Sequence, residues 1–343
     1  MKLIGKLFSR VVLVSLAIAL QLAWLFLMMW FLSDIYLPMA VVLTLISIVA
    51  AVAIINRPGS PGVKLAWIVP IMAFPLFGGI IFLISGGKGP RRKLKRALDK
   101  SFDIINPYVE PCSPRDERAD FEDGYSQGQC HYLADYGFPL YGNTTADYDD
   151  GGRAAWERML SDLRAAERFI FMEYFIIRPG VMWDAVLDVL KEKAAVGVEV
   201  RVMYDDLGTI SYLPRKYAAE LESFGIKCHA FNRYRPVYSV VMDHRDHRKI
   251  LVIDGHIAYT GGINFADEYI GEEVRFGNWK DNSVRLHGEG VRSMTLMFLH
   301  LWNAARPTDT VEGVAAYMPR PEDVADVTCE GVVQPYGSSD SRE

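Results

Sequence analysis

The chain has 343 residues, 50% of them hydrophobic, with 37 basic residues against 42 acidic ones and a formal net charge of -5. Such a balance lacks the basic face that neutralises nucleic-acid phosphates, so we expect no nucleic-acid partner. The 4 cysteines form no CxxC pair and have no histidine at zinc-ligand spacing, so we expect no disulfide framework, metal or other cofactor.

Residues 1–90 are predicted to form a membrane module, because they are mostly apolar and nearly uncharged. Three uncharged stretches, 11–33, 35–56 and 65–87, each reach the roughly 20 residues that a helix needs to cross a bilayer. We therefore predict three transmembrane helices. Prolines and a glycine pair in the third stretch leave open that this segment is irregular or re-entrant.

Residues 91–131 are predicted to be a basic and polar linker that begins with RRKLKR. The positive-inside rule places so basic a run in the cytoplasm. We therefore expect a multi-pass protein of the cell membrane whose soluble part is cytoplasmic. The position of the run beside a predicted span favours attraction to anionic lipid headgroups over a simple solvated charge cluster.

Residues 132–336 alternate amphipathic segments with short runs of β-branched and aromatic residues, and 337–343 have the composition of a frayed tail. This alternation predicts an α/β fold, a mixed sheet flanked by helices. The predicted helices are 155–166, 183–195, 213–224 and 291–305, and the predicted strands are 169–177, 198–204, 226–231, 248–253, 257–260 and 283–286.

The segment DHRDHRKILVIDG contains the strongest chemical pattern in the chain, with His247, Lys249 and Asp254 in the spacing HxKxxxxD. Alternation along a strand puts His247 and Lys249 on one face. An imidazole there can attack a phosphorus atom while the ammonium neutralises an equatorial oxygen. The pattern therefore predicts catalytic chemistry on a phosphate that needs no metal.

A second pattern follows it, with the pair Gly261-Gly262 and then Asn264. The glycines let the backbone approach closely, and the Asn264 amide can donate a hydrogen bond to the same phosphate oxygens. We predict that all three residues bind substrate.

Three acidic residues lie within or directly after predicted strands. Glu173 is an acid within an apolar strand, and we predict that it binds substrate. The pair Asp205-Asp206 follows the next strand, where α/β folds usually form sites. For each of them, a structural salt bridge is an equally good interpretation.

The spacing HxKxxxxD followed by GGxN resembles the signature of the phospholipase D superfamily. The stretches FIFMEYFII, VEVRVMYDDLG and GNWKDNSVRLHGEGV make the resemblance more specific, because they are similar to the N-terminal half of bacterial cardiolipin synthases. The segment KLAWIVPIMAFPLFGGIIFLISG is similar to the membrane segment of those enzymes.

The resemblance implies a transfer in which His247 attacks the phosphorus of one phosphatidylglycerol and releases glycerol. A hydroxyl of a second phosphatidylglycerol then resolves the phosphohistidine and forms cardiolipin. Asp281 matches the acidic residue that holds the imidazole in the required tautomer, although a simple turn aspartate is the alternative. Asp254 would shape the site rather than carry a proton.

Enzymes of this family carry two such motifs, and the second histidine protonates the leaving group. No other histidine of this chain has a lysine two residues later, so we expect a truncated or half enzyme. It would act as a homodimer or with a second chain that carries the other motif. A non-catalytic, membrane-anchored phospholipid-binding protein and a single-motif hydrolase acting as a homodimer are the alternatives, and the acceptor could be another alcohol or water.

Overall fold

The structure is a computed structural model, and its described residues fall into two units. One unit lies within residues 1–91, and the other lies within 92–234 and 245–338. Most of the first predicted span and the tail residues 338–343 lie outside the described residues. The described residues are 16, 18–24, 26–27, 36–57, 61–85, 92–109, 124–233, 245–275, 277–329 and 331–337.

In the N-terminal unit, residues 18–24 are helical, and the helices that follow are α1 (Tyr36–Ile55), α2 (Pro61–Ala73) and α3 (Pro75–Ser85). The third predicted span is interrupted at Phe74, directly before Pro75, because a proline disfavours the helical conformation of the residue that precedes it. Within the described residues, no helix has both the length and the apolar character required to cross a bilayer. The three predicted transmembrane helices are thus not confirmed.

The second unit is built on a seven-stranded mixed sheet with the order β1-β7-β6-β5-β2-β3-β4. Strands β2, β3 and β4 are parallel, whereas β5, β6, β7 and β1 join through antiparallel pairs. The strands are β1 (Thr144–Asp149), β2 (Phe169–Tyr174), β3 (Glu199–Asp205), β4 (Lys227–Phe231), β5 (Lys249–Ile253), β6 (Ile257–Gly261) and β7 (Ser283–Gly288).

Helices cover both faces of this sheet, which confirms the predicted α/β class. The helices of this unit are α4 (Arg92–Ile105), α5 (Gly124–Asp135), α6 (Gly152–Ala165), α7 (Val181–Ala195), α8 (Asp206–Thr209), α9 (Tyr217–Ser223), α10 (Val291–Ala305) and α11 (Pro321–Val324). The first core packs α6, α7 and α9 on one face of the sheet, and the second core packs α4 and α10 on the other.

Two helices occupy the segment predicted to be a linker. In α4, Leu98 and Ile105 are buried in the second core, and the hydroxyl of Ser101 donates to the carbonyl of His300 on α10 at 2.8 Å. An apolar stripe at helical spacing thus continues directly behind the basic run. This periodicity was the signal in the sequence for a helix.

The sheet topology brings many loops to one edge. Strands β2, β3, β4 and β6 end there, and β5 and β7 begin there, as shown by the pairings Tyr174–Lys249 and Gly261–Ser283. The HxKxxxxD segment enters the sheet at this edge, which we call the site edge.

The opposite edge carries a partly buried ion network around Glu199 at the start of β3. Its carboxylate accepts hydrogen bonds from Tyr317 at 2.6 Å, Arg201 at 2.7 Å and Lys227 at 2.9 Å. Burial alone would raise the pKa of Glu199, but these hydrogen bonds and positive charges lower it to about 2.

We predict that Glu199→Gln lowers the free energy of unfolding at pH 7 by about 1–2 kcal/mol, because charge-assisted hydrogen bonds are lost from a site that solvent still screens. The folded-state pKa lies below the ordinary value of 4.5. The stabilisation is therefore complete above that pH and disappears as the pH falls toward 2. Urea unfolding of the full chain in detergent would measure it. Exposed Glu312→Gln is the control, and equal stability of the two variants at pH 7 would contradict the prediction.

Candidate active site

His247 and Lys249 lie together where β5 begins at the site edge. Lys249 is the first residue of the strand and is 4% exposed, whereas His247 precedes the strand and is exposed. The Lys249 Nζ lies 3.2 Å from Nδ1 of His247 and donates to the His247 carbonyl at 2.6 Å. The pair combines an accessible imidazole with a buried ammonium.

Phe175, directly after β2, packs against both members of this pair. Its ring centroid lies 4.7 Å from that of His247 and 5.5 Å from the Lys249 Nζ. Burial lowers the pKa of Lys249 to about 8, opposed by the negative charges of Asp246 and Asp281. At neutral pH Lys249 is therefore still mostly cationic.

The surroundings of His247 favour a neutral imidazole. Burial and the adjacent Lys249 charge lower its pKa below 6.5, against the opposing effect of Asp246 and Asp205. A neutral ring is the nucleophilic form. If Lys249 donates to Nδ1 of His247, the neutral ring carries its proton on Nε2, and Nε2 cannot attack. Attack through Nε2 requires the other tautomer, in which Nδ1 carries the proton and donates it to an acceptor.

Asp281 was predicted to be that acceptor, and in the described residues it makes no hydrogen bond to His247. Its Oδ1 accepts the backbone N–H of Asn282 at 2.9 Å, and its charge acts on Lys249. A Cβ atom added to Gly262 would lie 1.9 Å from Asp281 Oδ1, so the glycine leaves room for this carboxylate.

Gly261 allows a similar close approach. Its φ of 149° favours glycine, and an added Cβ would lie 2.4 Å from the carbonyl oxygen of Asn282. The structure therefore places the glycine pair against the segment that carries Asp281.

Asn264 is buried among the loops of the site edge, and its hydrogen bond to a phosphate stays a prediction. It is 3% exposed, its Oδ1 accepts the Ile176 N–H at 3.0 Å, and its Nδ2 donates to the hydroxyl of Tyr269 at 2.8 Å. The two hydrogen bonds of the Asn264 amide thus connect the loop that follows β2 to the loop that follows β6.

Asp254 is not brought to His247, because β5 separates them. Five strand residues at about 3.3 Å each put it roughly 17 Å from Lys249, at the opposite edge. Its carboxylate accepts the backbone N–H groups of Glu167, Arg168 and Phe169 at 2.8, 2.7 and 2.9 Å. In this structure Asp254 fixes the start of β2.

Glu173 does not face the His247 side of the sheet either, so the structure does not bring this predicted substrate-binding residue to His247. It is fully buried, and its Oε1 lies 2.7 Å from Nε of Arg248. Burial strongly raises its pKa, opposed by Arg248 and reinforced by Asp246. For Glu173, the structure thus favours the salt-bridge alternative.

Asp205 also forms a salt bridge, whereas Asp206 begins helix α8. The Asp205 side chain accepts the Leu207 N–H at 2.8 Å, which caps this short helix, and pairs with Arg245 at 3.3 Å. Asp205 therefore connects the end of β3 to the segment that leads to His247.

Sequence reasoning missed the contributions of Phe175, Asp246 and Arg248. Alternation along β5 would have placed Arg248 on the face opposite His247. The contact with Phe175 had no such signal, because it depends on the pairing of β2 with β5. Among the described residues, no cluster of three or more histidine, cysteine, aspartate or glutamate residues could hold a metal.

Comparisons with known proteins identify two matched segments. Residues 159–276 match the family model described as cardiolipin synthase, PLD-like domain, and 45–87 match the model described as phospholipase D-nuclease N-terminal. A Streptococcus mutans protein named only as uncharacterized is 41% identical over 280 residues, covering 80% of this chain and 59% of that protein.

Named relatives show the same pattern of coverage. A cardiolipin synthase from Alkalihalophilus pseudofirmus is 31% identical over 77% of this chain and 53% of its own length. This chain thus spans little more than half the length of these relatives. Among solved structures, NucT from Helicobacter pylori aligns with 47% of this chain and 97% of its own, at 12% identity and a TM-score of 0.37.

We predict that Lys249→Met raises the pKa of His247, because the neighbouring positive charge disfavours the imidazolium. NMR titration of 13C-labelled histidines in the full chain, assigned with a His247→Gln variant, would measure the change. Lys191→Met, at a partly exposed position of α7, is the control. An unchanged His247 pKa in Lys249→Met would show that the two side chains do not interact in solution.

Proposed function

Because this chain contains the phospholipase D-like domain of the cardiolipin synthases, we propose that it is a phosphatidyltransferase of cardiolipin synthesis. It would join two phosphatidylglycerols and release glycerol. The observation that supports this most is the exposed imidazole of His247, 3.2 Å from the buried ammonium of Lys249. These groups supply the nucleophile and the charge that a phosphodiester requires.

In the first step, a nitrogen of His247 forms a bond to phosphorus, and the bond from phosphorus to the glycerol oxygen breaks. Glycerol leaves with a proton from a general acid. In the second step, a hydroxyl oxygen of another phosphatidylglycerol attacks the same phosphorus, the P–N bond breaks, and a general base takes the hydroxyl proton. Lys249 neutralises a non-bridging oxygen in both steps.

A second group must supply the general acid in this scheme, since the sequence has a single HxKxxxxD motif. We propose that it comes from a second copy of the chain or from another chain that carries the other motif. Lys249 is not a good candidate, because the same ammonium is needed to hold the phosphate oxygen. A chain that keeps the pocket without this group would bind phospholipid without turnover.

We further propose that the protein works at the cytoplasmic face of the cell membrane, with phosphatidylglycerol and other anionic lipids as its partners. The match over 45–87 supports membrane association. On α1, the side chains of Val42, Leu45 and Val49 are exposed although they are apolar. The net negative charge does not favour nucleic acid.

We predict that the purified full chain in detergent converts labelled phosphatidylglycerol into cardiolipin and glycerol, and that His247→Ala does not. Without its nucleophile the variant should lose at least about 1,000-fold in rate. Thin-layer chromatography and mass spectrometry of the lipids would identify the products.

The products also distinguish the alternatives. Phosphatidic acid made in place of cardiolipin would indicate a hydrolase that uses water. Binding of phosphatidylglycerol without turnover by either protein would contradict the enzyme made of this chain alone, and would support a binding protein or a half enzyme that needs a second chain.

We also predict a bell-shaped pH dependence of kcat. Activity should rise through a pKa below 6.5 as His247 becomes neutral, and fall near pH 8 as Lys249 loses its proton. Lys249→Arg should move the alkaline limb to higher pH, because a guanidinium keeps its charge there. An alkaline limb at the same pH in both proteins would mean that another group titrates.

A further inference from the structure

Arg248 lies on the face of the sheet opposite His247 and Lys249. The odd-numbered apolar residues of β5 belong to the first core, and the even-numbered ones belong to the second core. Arg248 lies on the same side as the even-numbered residues of β5. There it contacts Glu173, whose side chain lies on that side of the neighbouring strand β2. The motif thus has a reactive face and a buried reverse face.

The reverse face holds the motif through a chain of charged contacts. Glu173 Oε1 lies 2.7 Å from Arg248 Nε, which in turn donates to Asp246 Oδ1 at 3.1 Å. The backbone N–H of Asp246 donates to Asp205 Oδ2 at 3.1 Å. The side chains of Glu173 and Asp205 are fully buried, and that of Asp246 is 5% exposed.

The exposed imidazole lies between two residues that this cluster holds, Asp246 and Arg248. The segment of His247 precedes the first residue of β5, so no ladder hydrogen bond of that strand fixes it. Contacts on the reverse face therefore hold its backbone, together with the hydrogen bond that Lys249 Nζ donates to the His247 carbonyl. The neighbouring strands β2 and β3 provide the two anchoring carboxylates.

We propose that Glu173, acting through Arg248, is a positioning residue for His247. This rests on the proposed function, in which His247 is the nucleophile. Glu173 is on the reverse face and is fully buried, so it does not touch the substrate. The Arg248 side chain links it to the backbone between His247 and Lys249, and thereby sets the distance between imidazole and ammonium.

A purely stabilising role is a weaker explanation of this pair. Apolar side chains of similar volume fill a buried site as well as an ion pair does, and often stabilise more, because two charges need not be desolvated. An ion pair differs because it fixes a particular contact: Arg248 Nε lies 2.7 Å from Glu173 Oε1 and 3.1 Å from Asp246 Oδ1. Orientation is what a nucleophile requires, because a misplacement of about 1 Å can cost roughly 100-fold in rate.

The test replaces the pair together, with Glu173→Met and Arg248→Met in one full-length chain, so that neither charge is left unpaired in the core. We expect a folded protein by near-UV circular dichroism, with kcat reduced about 100-fold and KM within about twofold of the parent. Glu173→Gln keeps the size of the side chain and an oxygen that faces Arg248, and should retain most of the activity. The matched control is Asp162→Asn with Arg285→Met, a partly buried pair at 2.7 Å that should leave kcat unchanged.

A second readout needs no turnover, so it tests the positioning even if the proposed transferase activity is absent. The Lys249 charge depresses the pKa of His247. Moving the imidazole away from Lys249 should therefore raise that pKa toward 6.5 in the double variant, measured by NMR titration, and not in the control pair.

The two readouts together decide between positioning and stability. A folded double variant with the parent's kcat and His247 pKa would overturn the proposal. If the double variant does not fold, Glu173→Asp takes its place, because the shorter side chain draws Arg248 away without removing the charge. A raised His247 pKa in that variant supports the positioning role, and an unchanged pKa refutes it.

Discussion

Strand β5 is held at both ends by buried carboxylates, and the geometry of the candidate site depends on this constraint. At one end, Asp254 accepts three backbone N–H groups that lead into β2. At the other end, Glu173 and Asp205 hold the charged segment that precedes the strand. All five residues of the strand between them are buried. A slip of its register by one residue would move the polar side chains of the motif to the other face and into an apolar core. The spacing HxKxxxxD is thus the length of one buried strand with its two fixed ends.

This arrangement produces a reactive pair with opposed requirements. In the proposed function, His247 must be neutral to attack phosphorus, and Lys249 must be charged to neutralise the phosphate oxygens. Burial lowers the pKa of both groups, and the nearby positive charge lowers that of His247 further. The negative charges of Asp246 and Asp281 keep Lys249 protonated near neutral pH. In the proposed function, a single pair of this kind supplies a nucleophile and a cation but no separate proton donor, which is why we propose a second group for turnover.

The sequence predicted much of the fold and the central part of the site. Periodicity located all strands except β1, and the helix over Val291–Ala305 has the predicted bounds. Periodicity missed β1 because half of the residues of this short outermost strand are exposed, so its pattern of apolar residues is weak. The predicted site residues that the structure does not bring to His247 are Asn264, Asp254 and Glu173. Each is a polar residue that lies close to the motif in the sequence or in a neighbouring strand. Each makes its contacts with other groups in the interior of the protein.

By itself the sequence determined the α/β class, the pairing of His247 with Lys249, and the family, because these depend on local alternation and on a spacing within one segment. Only the tertiary structure decided which polar residues face the reactive pair. Strand pairing brings Phe175 and Glu173 beside the motif on opposite faces, and it sends Asp254 to the far edge. The physical reason is that the direction of a side chain follows from local geometry, whereas its partners follow from the register of strands that are distant in the sequence.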